Sequence, residues 1–584
     1  MFKNNISHSL VVFAIILFGC DESPEVELHT LFNNVWEEEL KESPESATFY
    51  GDSRYNDRLI DKSLVAIKSR QDKAKSYLQN LHLIDKTQLS KEDQLNYDLF
   101  EKKLKRGIEA HRFNGYLMPV NQMGGVQISF PNLVKITPFK KMEDYEKYMK
   151  RLNAFPEFMD QIIALMNEGM KTGLTPPKII LRSVPEQIEA QIVPVEESPF
   201  FKPFLEFPEE IPDSVQTRFT KSGKEVIEYN VLASYKKLKV FFETEYLPSC
   251  SEEISISEMP NGSEWYKYLV AMYTTTDLTP DEIHELGLSE VKRIRMAMVR
   301  TIKETGFEGS FDSFLEFLRD DPQFYYAKAE NLLMGYRDIC KRADPELTKL
   351  FGKLPRIPYG VVAIPDYQAP ASPTAYYYPA SDDGSRPGNF WANTYNLHTR
   401  PKYEMVALAL HEAVPGHHLQ GSIAQELEVL PNFRRHGWFT AFGEGWALYA
   451  ESLGEEMGLY DDPYSKFGQL TYEMWRACRL VVDTGMHALG WSRQEAIDFI
   501  KQNAAKSEHD IVVEIDRYIA WPGQALAYKI GELKIKELRK LSKGKLGEKF
   551  DIREFHDIVL GSGSLPLDVL EEQVKAYIAN ANQN

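Results

Sequence analysis

The chain is poor in cysteine, in basic charge and in long hydrophobic runs, and each of these features excludes a class of protein. Four cysteines in 584 residues are too few and too scattered for a disulfide scaffold or a CxxC-type metal site. Lysine and arginine number 68 against 86 aspartates and glutamates, and the net charge of −18 argues against nucleic acid as a partner. Residues 10–18 form an unbroken apolar run that is too short to span a bilayer. Any metal site must therefore use histidine and carboxylate ligands.

Three common catalytic motifs are also missing. The sequence has no GxSxG nucleophile elbow, no GxxxxGK[ST] phosphate loop, and no GxGxxG segment between a strand and a helix. Serine-hydrolase, P-loop and dinucleotide-binding chemistry are therefore not indicated. The composition, with 43% hydrophobic and 26% charged residues, is that of a globular protein with a substantial core.

Residues 1–19 have the features of a secretory signal peptide. Lys3 precedes the apolar run, and the sequence LFGC ending at Cys20 resembles the bacterial lipobox, in which the cysteine becomes the lipidated first residue. The resemblance implies lipidation of Cys20, a linker over residues 20–30, and an exported protein that contacts the membrane only through its lipid anchor. An ordinary cleaved signal with a chance cysteine is the alternative. In a Gram-negative host the protein would be periplasmic.

The rest of the chain is predicted to be mainly α-helical, with an N-terminal helical region over residues 31–260 and a catalytic helical region over residues 261–584. Apolar residues at a period near 3.6 between Asp93 and Arg112 predict one amphipathic helix. The sequence TPDE beginning at Thr279 is typical of a helix start. Residues 388–397 predict a small β element, and the two helical regions are expected to face a cleft.

Three of the 13 histidines lie in one short segment, HEAVPGHH at residues 411–418. Paired zinc ligands commonly stand at positions i and i+4 of a helix, but Pro415 occupies i+4 from His411. On a regular helix, His417 would be rotated by about 240° from His411, and His418 would lie about 10 Å along the axis. Pro415 and Gly416 are therefore expected to distort the helix, and a two-residue bulge would return His417 to the i+4 place. The sequence leaves the choice between His417 and His418 open.

A carboxylate on a second helix is expected to complete a metal site. Glu444 lies in the segment FGEGWALYAE, downstream of the histidines. Two histidines, one glutamate and an open water position form a catalytic zinc set, so the predicted cofactor is Zn²⁺ held by His411, His417 and Glu444. Glu451 lies two helical turns beyond Glu444 and is predicted to orient a ligating histidine without binding the metal itself. His418 is also predicted to lie just outside the set of ligands.

The segments HEAVPGHHLQ, EGWALYAE and RYIAWPGQALAYKIG resemble the bacterial family called domain of unknown function 885. The same resemblance extends over TTTDLTPDEIHELGLSEV, YYYPASDDGSRPGNFWANTY and RLVVDTGMHALGWS. Members of this family are thought to be zinc metallopeptidases related to the helical gluzincins, the group of thimet oligopeptidase and angiotensin-converting enzyme. The resemblance implies a gluzincin-like helical fold with the small β element next to the active-site helix. The pairing of Gly416 with His417 favours His417 as the ligand.

The resemblance also implies roles for residues around the metal. Tyr528 is expected to hydrogen-bond the oxyanion, as tyrosines in the last helices of the related peptidases do. The strand GNFWANTY is expected to be the edge on which an extended peptide lies. Candidate substrate-binding residues are His487, Arg517, Tyr518 and Asn393. Further cations that could hold a substrate carboxylate are Arg386, Arg476, Arg479 and Lys529.

The sequence therefore predicts a zinc-dependent metallopeptidase that hydrolyses short peptides in the cell envelope. Glu412 would take a proton from the attacking water and pass it to the leaving amine. Two alternatives remain, a non-catalytic peptide-binding lipoprotein and a zinc amidohydrolase acting on a non-peptide or cell-wall amide. The sequence predicts neither the oligomeric state nor a preference for the ends or the middle of a peptide.

Overall fold

A computed structural model describes residues 23–583, apart from 367, 368, 370, 371, 383 and 385. These residues form a mainly helical protein with one three-stranded sheet, which confirms the predicted mainly α class with a small β element. The predicted signal peptide and Cys20 lie outside the described residues. None of the described helices is both long and apolar enough to cross a bilayer.

Ten helices lie within residues 24–249. The predicted amphipathic helix is observed as α4, in which Ser90 accepts a hydrogen bond from the Asp93 amide at the start and Leu99 and Leu104 are buried. The segment between α7 and α8 contains two short 3-10 turns, as expected of a connection rich in proline. The helices are α1 (Pro24–Glu42), α2 (Pro44–Tyr50), α3 (Leu64–Leu83), α4 (Lys91–Ala110), α5 (Val126–Ile136), α6 (Met142–Thr172), α7 (Val184–Glu189), α8 (Asp213–Val226), α9 (Ala233–Phe241) and α10 (Leu247–Ser249).

Five further helices precede the sheet. The predicted start at Thr279 is a capping box, because its hydroxyl accepts from the Glu282 amide while the Glu282 carboxylate accepts from the Thr279 amide. The five helices are α11 (Gly262–Thr274), α12 (Pro280–Glu304), α13 (Phe311–Asp320), α14 (Ala329–Ala343) and α15 (Leu347–Leu350).

The remaining ten helices follow the sheet and include those that carry the predicted metal ligands. Helix α20 packs along α12, and α19 packs along α23. The ten helices are α16 (Met405–Glu412), α17 (His417–Glu426), α18 (Asn432–Arg435), α19 (Thr440–Leu453), α20 (Pro463–Ala488), α21 (Arg493–Asn503), α22 (Glu508–Ala520), α23 (Ala527–Leu546), α24 (Ile552–Leu560) and α25 (Leu567–Gln583).

The sheet contains β1 (Tyr359–Ala363), β2 (Ala375–Tyr378) and β3 (Gly388–Ala392), in the order β1-β3-β2. Strand β3 pairs in parallel with β1 and antiparallel with β2. The GNFWANTY segment therefore forms the central strand, and our prediction that it is an edge strand is wrong because both of its sides are paired. The edge strand that reaches the large cavity described below is β2, through Ala375, Tyr376 and Tyr377.

Two hydrophobic cores hold the helices together, and each draws on both ends of the chain. The first core contains Phe100 and Trp446, and the second contains Phe155 and Met474. The predicted division near residue 260 therefore does not coincide with the division between the cores. Residues from both the N-terminal and the C-terminal region line one cavity.

Candidate metal and substrate site

A cavity of about 1270 Å³ contains the predicted metal ligands in its wall. Tyr50 of α2 and Arg182 of the turn before α7 contribute from the N-terminal region, and Tyr376 contributes from β2. Helices α16, α17, α19, α20 and α22 supply most of the opposite wall. A concave space of this size, with both apolar and charged walls, is suited to an extended small ligand.

The chain between His411 and His417 contains a complete break between two helices. Helix α16 ends at Glu412, and α17 begins at His417. A distortion at Pro415 and Gly416 is predicted from the sequence, and it takes the form of an interruption between two helices over residues 413–416. Pro415 has no amide hydrogen to continue the helical ladder, and its carbonyl instead accepts a hydrogen bond of 2.8 Å from the Trp446 indole. The His418 amide donates to the Ala413 carbonyl, five residues back, at 3.1 Å and so bridges the interruption. The i→i−4 ladder resumes with the bond of 3.0 Å from the Gln420 amide to the Gly416 carbonyl.

Glycine is required at position 416 because the backbone there passes very close to the carbonyl groups at the end of α16. A Cβ at this position would lie 1.9 Å from the His411 carbonyl oxygen and 2.3 Å from that of Leu410. No side chain fits at such distances, so the turn that brings His417 next to His411 is available only to glycine.

Replacing Gly416 by alanine is expected to lower the free energy of unfolding by about 2 to 3 kcal/mol, because the new methyl group forces the His411 backbone away. The matched control is Gly421→Ala, since a Cβ there meets only the Tyr377 ring at 3.9 Å. The control should leave stability unchanged or raise it by up to about 1 kcal/mol. Urea unfolding of both variants measures the difference. Equal midpoints for Gly416→Ala and the wild-type protein would contradict the assigned role of this turn.

His411, His417 and Glu444 come together as the sequence predicts, with one ligand atom from each within 4.8 Å of the others. Oε2 of Glu444 lies 3.7 Å from Nε2 of His411 and 3.4 Å from Nε2 of His417. Ligand atoms of a tetrahedral zinc ion stand about 3.3 Å apart when each is about 2.0 to 2.1 Å from the metal. The donor types and their spacing therefore fit a divalent metal of this kind.

Two facing glycines set the position of Glu444. A Cβ on Gly445 would lie 2.4 Å from the Cα of Gly531, so α19 and α23 cross in direct backbone contact. Glu444 precedes the first of these glycines, and Tyr528 lies three residues before the second. The crossing thereby fixes a candidate ligand and the predicted oxyanion donor relative to each other.

Glu451 contacts the His411 ring nitrogen that faces away from Glu444, as predicted. Nδ1 of His411 and Oε1 of Glu451 form a hydrogen bond of 2.8 Å, which leaves Nε2 directed toward Glu444. Burial alone lowers the pKa of His411, but contacts with the Glu444 and Glu451 carboxylates outweigh burial and raise it to about 9. Burial raises the pKa of Glu444, but His411 and His417 hold it well below its usual range. The cluster thus favours a positive charge at its centre.

Replacing Glu451 by glutamine is expected to weaken metal binding by about 10- to 100-fold, because the orienting partner loses its charge while the ligands stay in place. Competition with a chromogenic chelator measures the affinity. Glu455→Gln is the control, since that carboxylate pairs with Lys466 at 2.6 Å near the surface. A wild-type affinity in Glu451→Gln would show that this carboxylate does not orient His411.

His418 points away from the cluster. Its Nδ1 lies 3.0 Å from the Tyr377 hydroxyl and 3.2 Å from that of Ser422, and its ring packs on Tyr359. Burial lowers the pKa of His418 to about 4. The geometry therefore favours His417 as the ligand, and His418 links α17 to the sheet without contacting the ligand histidines.

Glu412 and Tyr528 both line the cavity beside the cluster. Glu412 retains 8% of its surface and follows the candidate ligand His411 directly in the sequence. The Tyr528 ring stacks on the His411 ring with 6.5 Å between centroids. Burial, followed by the charge of Glu444, raises the pKa of the Tyr528 hydroxyl. The phenol therefore stays protonated and able to donate a hydrogen bond.

Two of the predicted substrate-binding residues are occupied by structural hydrogen bonds away from the cavity wall. His487 accepts from the Ile256 amide at 3.3 Å, and its other ring nitrogen contacts the Tyr518 carbonyl at 3.1 Å. Burial lowers the pKa of His487 to about 4. The Asn393 amide donates to three carbonyls of the loop before β2, at 2.8 to 3.0 Å. Both side chains are fully buried, so the structure gives them scaffolding contacts instead of the predicted substrate contacts.

Tyr518 is likewise buried, and its role is to hold a cavity residue. Its hydroxyl donates to Glu514 at 2.7 Å and accepts from Arg479 Nε at 2.8 Å. Arg517, the fourth predicted substrate residue, does line the cavity. Lys529 lies outside the wall, because it is fully buried among Glu290, Glu473 and Glu532.

Several residues of the cavity wall were not found by the sequence reasoning. Gln122, Arg182 and Gln187 come from loops and a short helix of the N-terminal region. Trp475 belongs to α20 and donates its indole N–H to the Tyr518 hydroxyl at 3.0 Å. No motif marks the N-terminal residues, because their proximity to the cluster arises only from tertiary packing.

Two solved structures are similar to this chain. One is the crystal structure of a proposed lipoprotein from Colwellia psychrerythraea, with a TM-score of 0.92, 29% sequence identity, and coverage of 96% of this chain and 100% of that chain. The other is a proposed lipoprotein of unknown function from Shewanella oneidensis, with a TM-score of 0.69, 15% identity, and coverage of 94% and 99%. At 15% identity the second similarity concerns the fold alone.

A comparison with curated proteins gives no match. The family described as bacterial proteins of unknown function, DUF885, matches residues 44–574. This range includes all the candidate ligands and the whole cavity wall. The chain therefore belongs to the DUF885 family of bacterial proteins, as the segments HEAVPGHHLQ and EGWALYAE indicated.

Proposed function

We propose that this protein is a zinc-dependent metallopeptidase that hydrolyses short peptides in the cell envelope. The observation that carries the proposal is the convergence of His411, His417 and Glu444 in one cavity, with the Glu412 carboxyl beside them. Two imidazoles and one carboxylate are the protein ligands of a catalytic zinc site that keeps a position open. A helical gluzincin-like relationship is part of the same proposal and rests on the motif HEAVPGHH together with Glu444.

The chain's own residues have distinct tasks in this reaction. A bound zinc ion would supply Lewis acidity and lower the pKa of a water molecule. The Glu412 carboxylate accepts the proton of the attacking water and returns it to the leaving nitrogen as the C–N bond breaks. The Tyr528 hydroxyl donates a hydrogen bond to the carbonyl oxygen as negative charge develops there. Glu451 keeps the His411 ring oriented throughout.

Strand β2 is the element that could align a substrate backbone. It is an edge strand, and Ala375, Tyr376 and Tyr377 line the cavity. An extended peptide can add to such an edge through main-chain hydrogen bonds, which are independent of the peptide's side chains. A cavity of about 1270 Å³ between helices admits a short peptide and excludes a folded protein.

Export and lipid anchoring are proposed from the N-terminal sequence and from the similar chain of Colwellia psychrerythraea, which is described as a proposed lipoprotein. Replacing Cys20 by serine is expected to move the protein from the membrane fraction to the soluble fraction, because the lipidated side chain is lost. Fractionation followed by immunoblotting measures this change. Unchanged membrane association would place the anchor elsewhere.

Substrate profiling tests the proposed activity. The metal-replete protein, its chelator-treated form and the re-loaded form are incubated with an unbiased peptide library and with cell-wall amide fragments, and products are identified by mass spectrometry. Metal-dependent cleavage of peptides is expected. Cleavage of the non-peptide amides alone would support an amidohydrolase, and peptide binding without cleavage of any substrate would support a binding protein.

A further inference from the structure

Three arginines form a cationic group on one wall of the cavity. Arg476 and Arg479 lie one turn apart on α20, and Arg517 lies on α22. All three line the cavity, with side-chain exposures of 6%, 5% and 11%. We call Arg476, Arg479 and Arg517 the arginine cluster. Guanidinium groups are rarely this buried unless anions compensate their charge.

The carboxylates around the arginine cluster are too few to compensate it. Glu514 accepts from Arg479 Nη2 at 3.0 Å and lies 3.5 Å from Arg517 Nε. Burial raises the pKa of Glu514, but the charges of Arg517 and Arg479 lower it to about 2. Arg476 lies 3.6 Å from Glu451, which is already bonded to His411.

One further carboxylate of the same wall, that of Asp516, is already paired with arginines outside the cluster. Asp516 accepts hydrogen bonds from Arg182 and Arg493, at 2.7 and 2.6 Å. Glu404 does not line the cavity and is paired with Lys506 at 2.7 Å.

Hydrogen bonding in the arginine cluster is also incomplete. Among the described residues, no hydrogen-bond partner exists for Arg476 Nε, Arg479 Nη1, or Nε and Nη2 of Arg517. Buried donors normally have partners, so this group of unpaired N–H groups marks a place where an anion is missing. A carboxylate matches the planar, two-pronged geometry of a guanidinium group.

The arginine cluster is close to the candidate metal ligands. The Arg479 guanidinium lies 4.4 Å from the centroid of the Tyr528 ring, and the His411 ring centroid lies 6.5 Å from the same point. Together these two distances limit the separation of Arg479 from His411 to about 11 Å, which is the length of about three extended residues.

We infer that the arginine cluster binds the C-terminal carboxylate of the peptide substrate, so that the protein is a carboxy-terminal exopeptidase releasing at most about three residues. This inference rests on the proposed peptidase function. In the reaction, water adds to the scissile carbonyl, the C–N bond breaks, and Glu412 delivers the proton to the leaving nitrogen. The products are a shortened peptide with a new carboxylate and a short C-terminal fragment, which remains held by the arginines until release.

Binding measurements test the inference without relying on turnover. Titration calorimetry on metal-replete Glu412→Gln compares a short peptide that has a free C-terminus with the same peptide as its C-terminal amide. The amide is expected to bind at least about 10-fold more weakly, because it loses charge-assisted hydrogen bonds to arginine. An amidated peptide with an internal aspartate distinguishes a side-chain carboxylate from the C-terminal one. Equal binding of the acid and the amide, or full recovery through the aspartate, would overturn the inference.

Arginine variants test which side chain is responsible for the preference for a free C-terminal carboxylate. In the Glu412→Gln background, Arg517→Gln is expected to abolish the preference for the free acid, whereas Arg182→Gln is expected to retain it. Arg182 is a suitable control because it lines the same cavity, is exposed, and pairs with Asp516 away from the arginine cluster. Thermal melting checks that both variants fold. If Arg517→Gln does not fold, the comparison of acid and amide on the parent protein still decides.

Product analysis separates this inference from the proposed function. Mass spectrometry of wild-type digests is expected to show cleavage within about three residues of a free C-terminus and little cleavage of amidated peptides. Metal-dependent cleavage at interior bonds, equal for acids and amides, would overturn the inference and leave the peptidase function standing. Absence of any peptide hydrolysis or binding would overturn both.

Discussion

Replacing Glu412 by glutamine is expected to lower peptide hydrolysis by at least about 100-fold while zinc and peptide binding stay at wild-type levels. Glutamine keeps the shape of the side chain but cannot accept the proton of the attacking water. Glu412 lies in the cavity wall next to the candidate ligands, and the described cluster of ligand atoms does not include it. Steady-state rates on a peptide substrate, with zinc content measured on the same samples, test both parts.

The matched control is Glu186→Gln. Glu186 lies on α7 in the same cavity, on the N-terminal wall, and is exposed. Its replacement removes one carboxylate from the cavity without touching the metal cluster, so turnover should remain within about twofold, as expected for a surface change. Near-normal hydrolysis by Glu412→Gln, or a loss of zinc in that variant, would contradict the assignment of Glu412 as the base.

The second large effect is expected for Glu444→Gln, which should lose zinc and activity together. The amide removes the one anionic ligand from a set of three. The affinity for zinc should therefore fall by more than the factor of about 10 to 100 that is expected when an outer partner such as Glu451 is changed. Elemental analysis after dialysis against a weak chelator measures occupancy. Activity should return in part when excess zinc is added.

Glu456→Gln serves as the control for Glu444→Gln. This carboxylate follows α19 in the sequence and pairs with Arg539 at 2.8 Å, away from the cavity. Both zinc content and turnover should be unaffected in the control. A Glu444→Gln protein with full zinc occupancy and no activity would instead make Glu444 a catalytic group and would leave the third ligand unassigned.

The ligand set could be predicted from the sequence because its residues lie in two short segments. Ionisable side chains are rarely buried unless they are paired or bind a metal. The segment HEAVPGHH and Glu444 together supply the donors of a single metal site. The disruption at Pro415 and Gly416 followed from the missing proline N–H. Its exact form did not, because the turn is shaped by the Trp446 hydrogen bond to the Pro415 carbonyl, which comes from a distant helix.

The order of the strands could not be predicted from local sequence. GNFWANTY has the composition of a strand, but whether a strand is central or at an edge depends on partners that lie elsewhere in the chain. Here β1 and β2 precede β3 and pair with it on opposite sides. The peptide-aligning role that we expected of this segment therefore passes to β2 within the proposed function.

Substrate contacts were the least predictable part of the site. His487 lies within the motif segment RLVVDTGMHALGWS, yet its two ring nitrogens are occupied by the backbone of Ile256 and Tyr518. A lone histidine on a buried helix gives no periodic signal that separates a scaffold role from a catalytic one. The arginine cluster was more accessible to prediction, since Arg479 and Arg517 each begin a motif segment and Arg476 lies three residues before Arg479. The grouping of the three arginines nevertheless depends on the packing of α20 against α22.

The measurement that tests the account most directly is anomalous diffraction at the zinc edge from crystals of the metal-replete protein, with stoichiometry from elemental analysis. We expect one zinc ion per chain, about 2.0 to 2.2 Å from Nε2 of His411, Nε2 of His417 and an oxygen of Glu444. The absence of an anomalous peak at this cluster, or an ion bound through His418 in place of His417, would contradict the account.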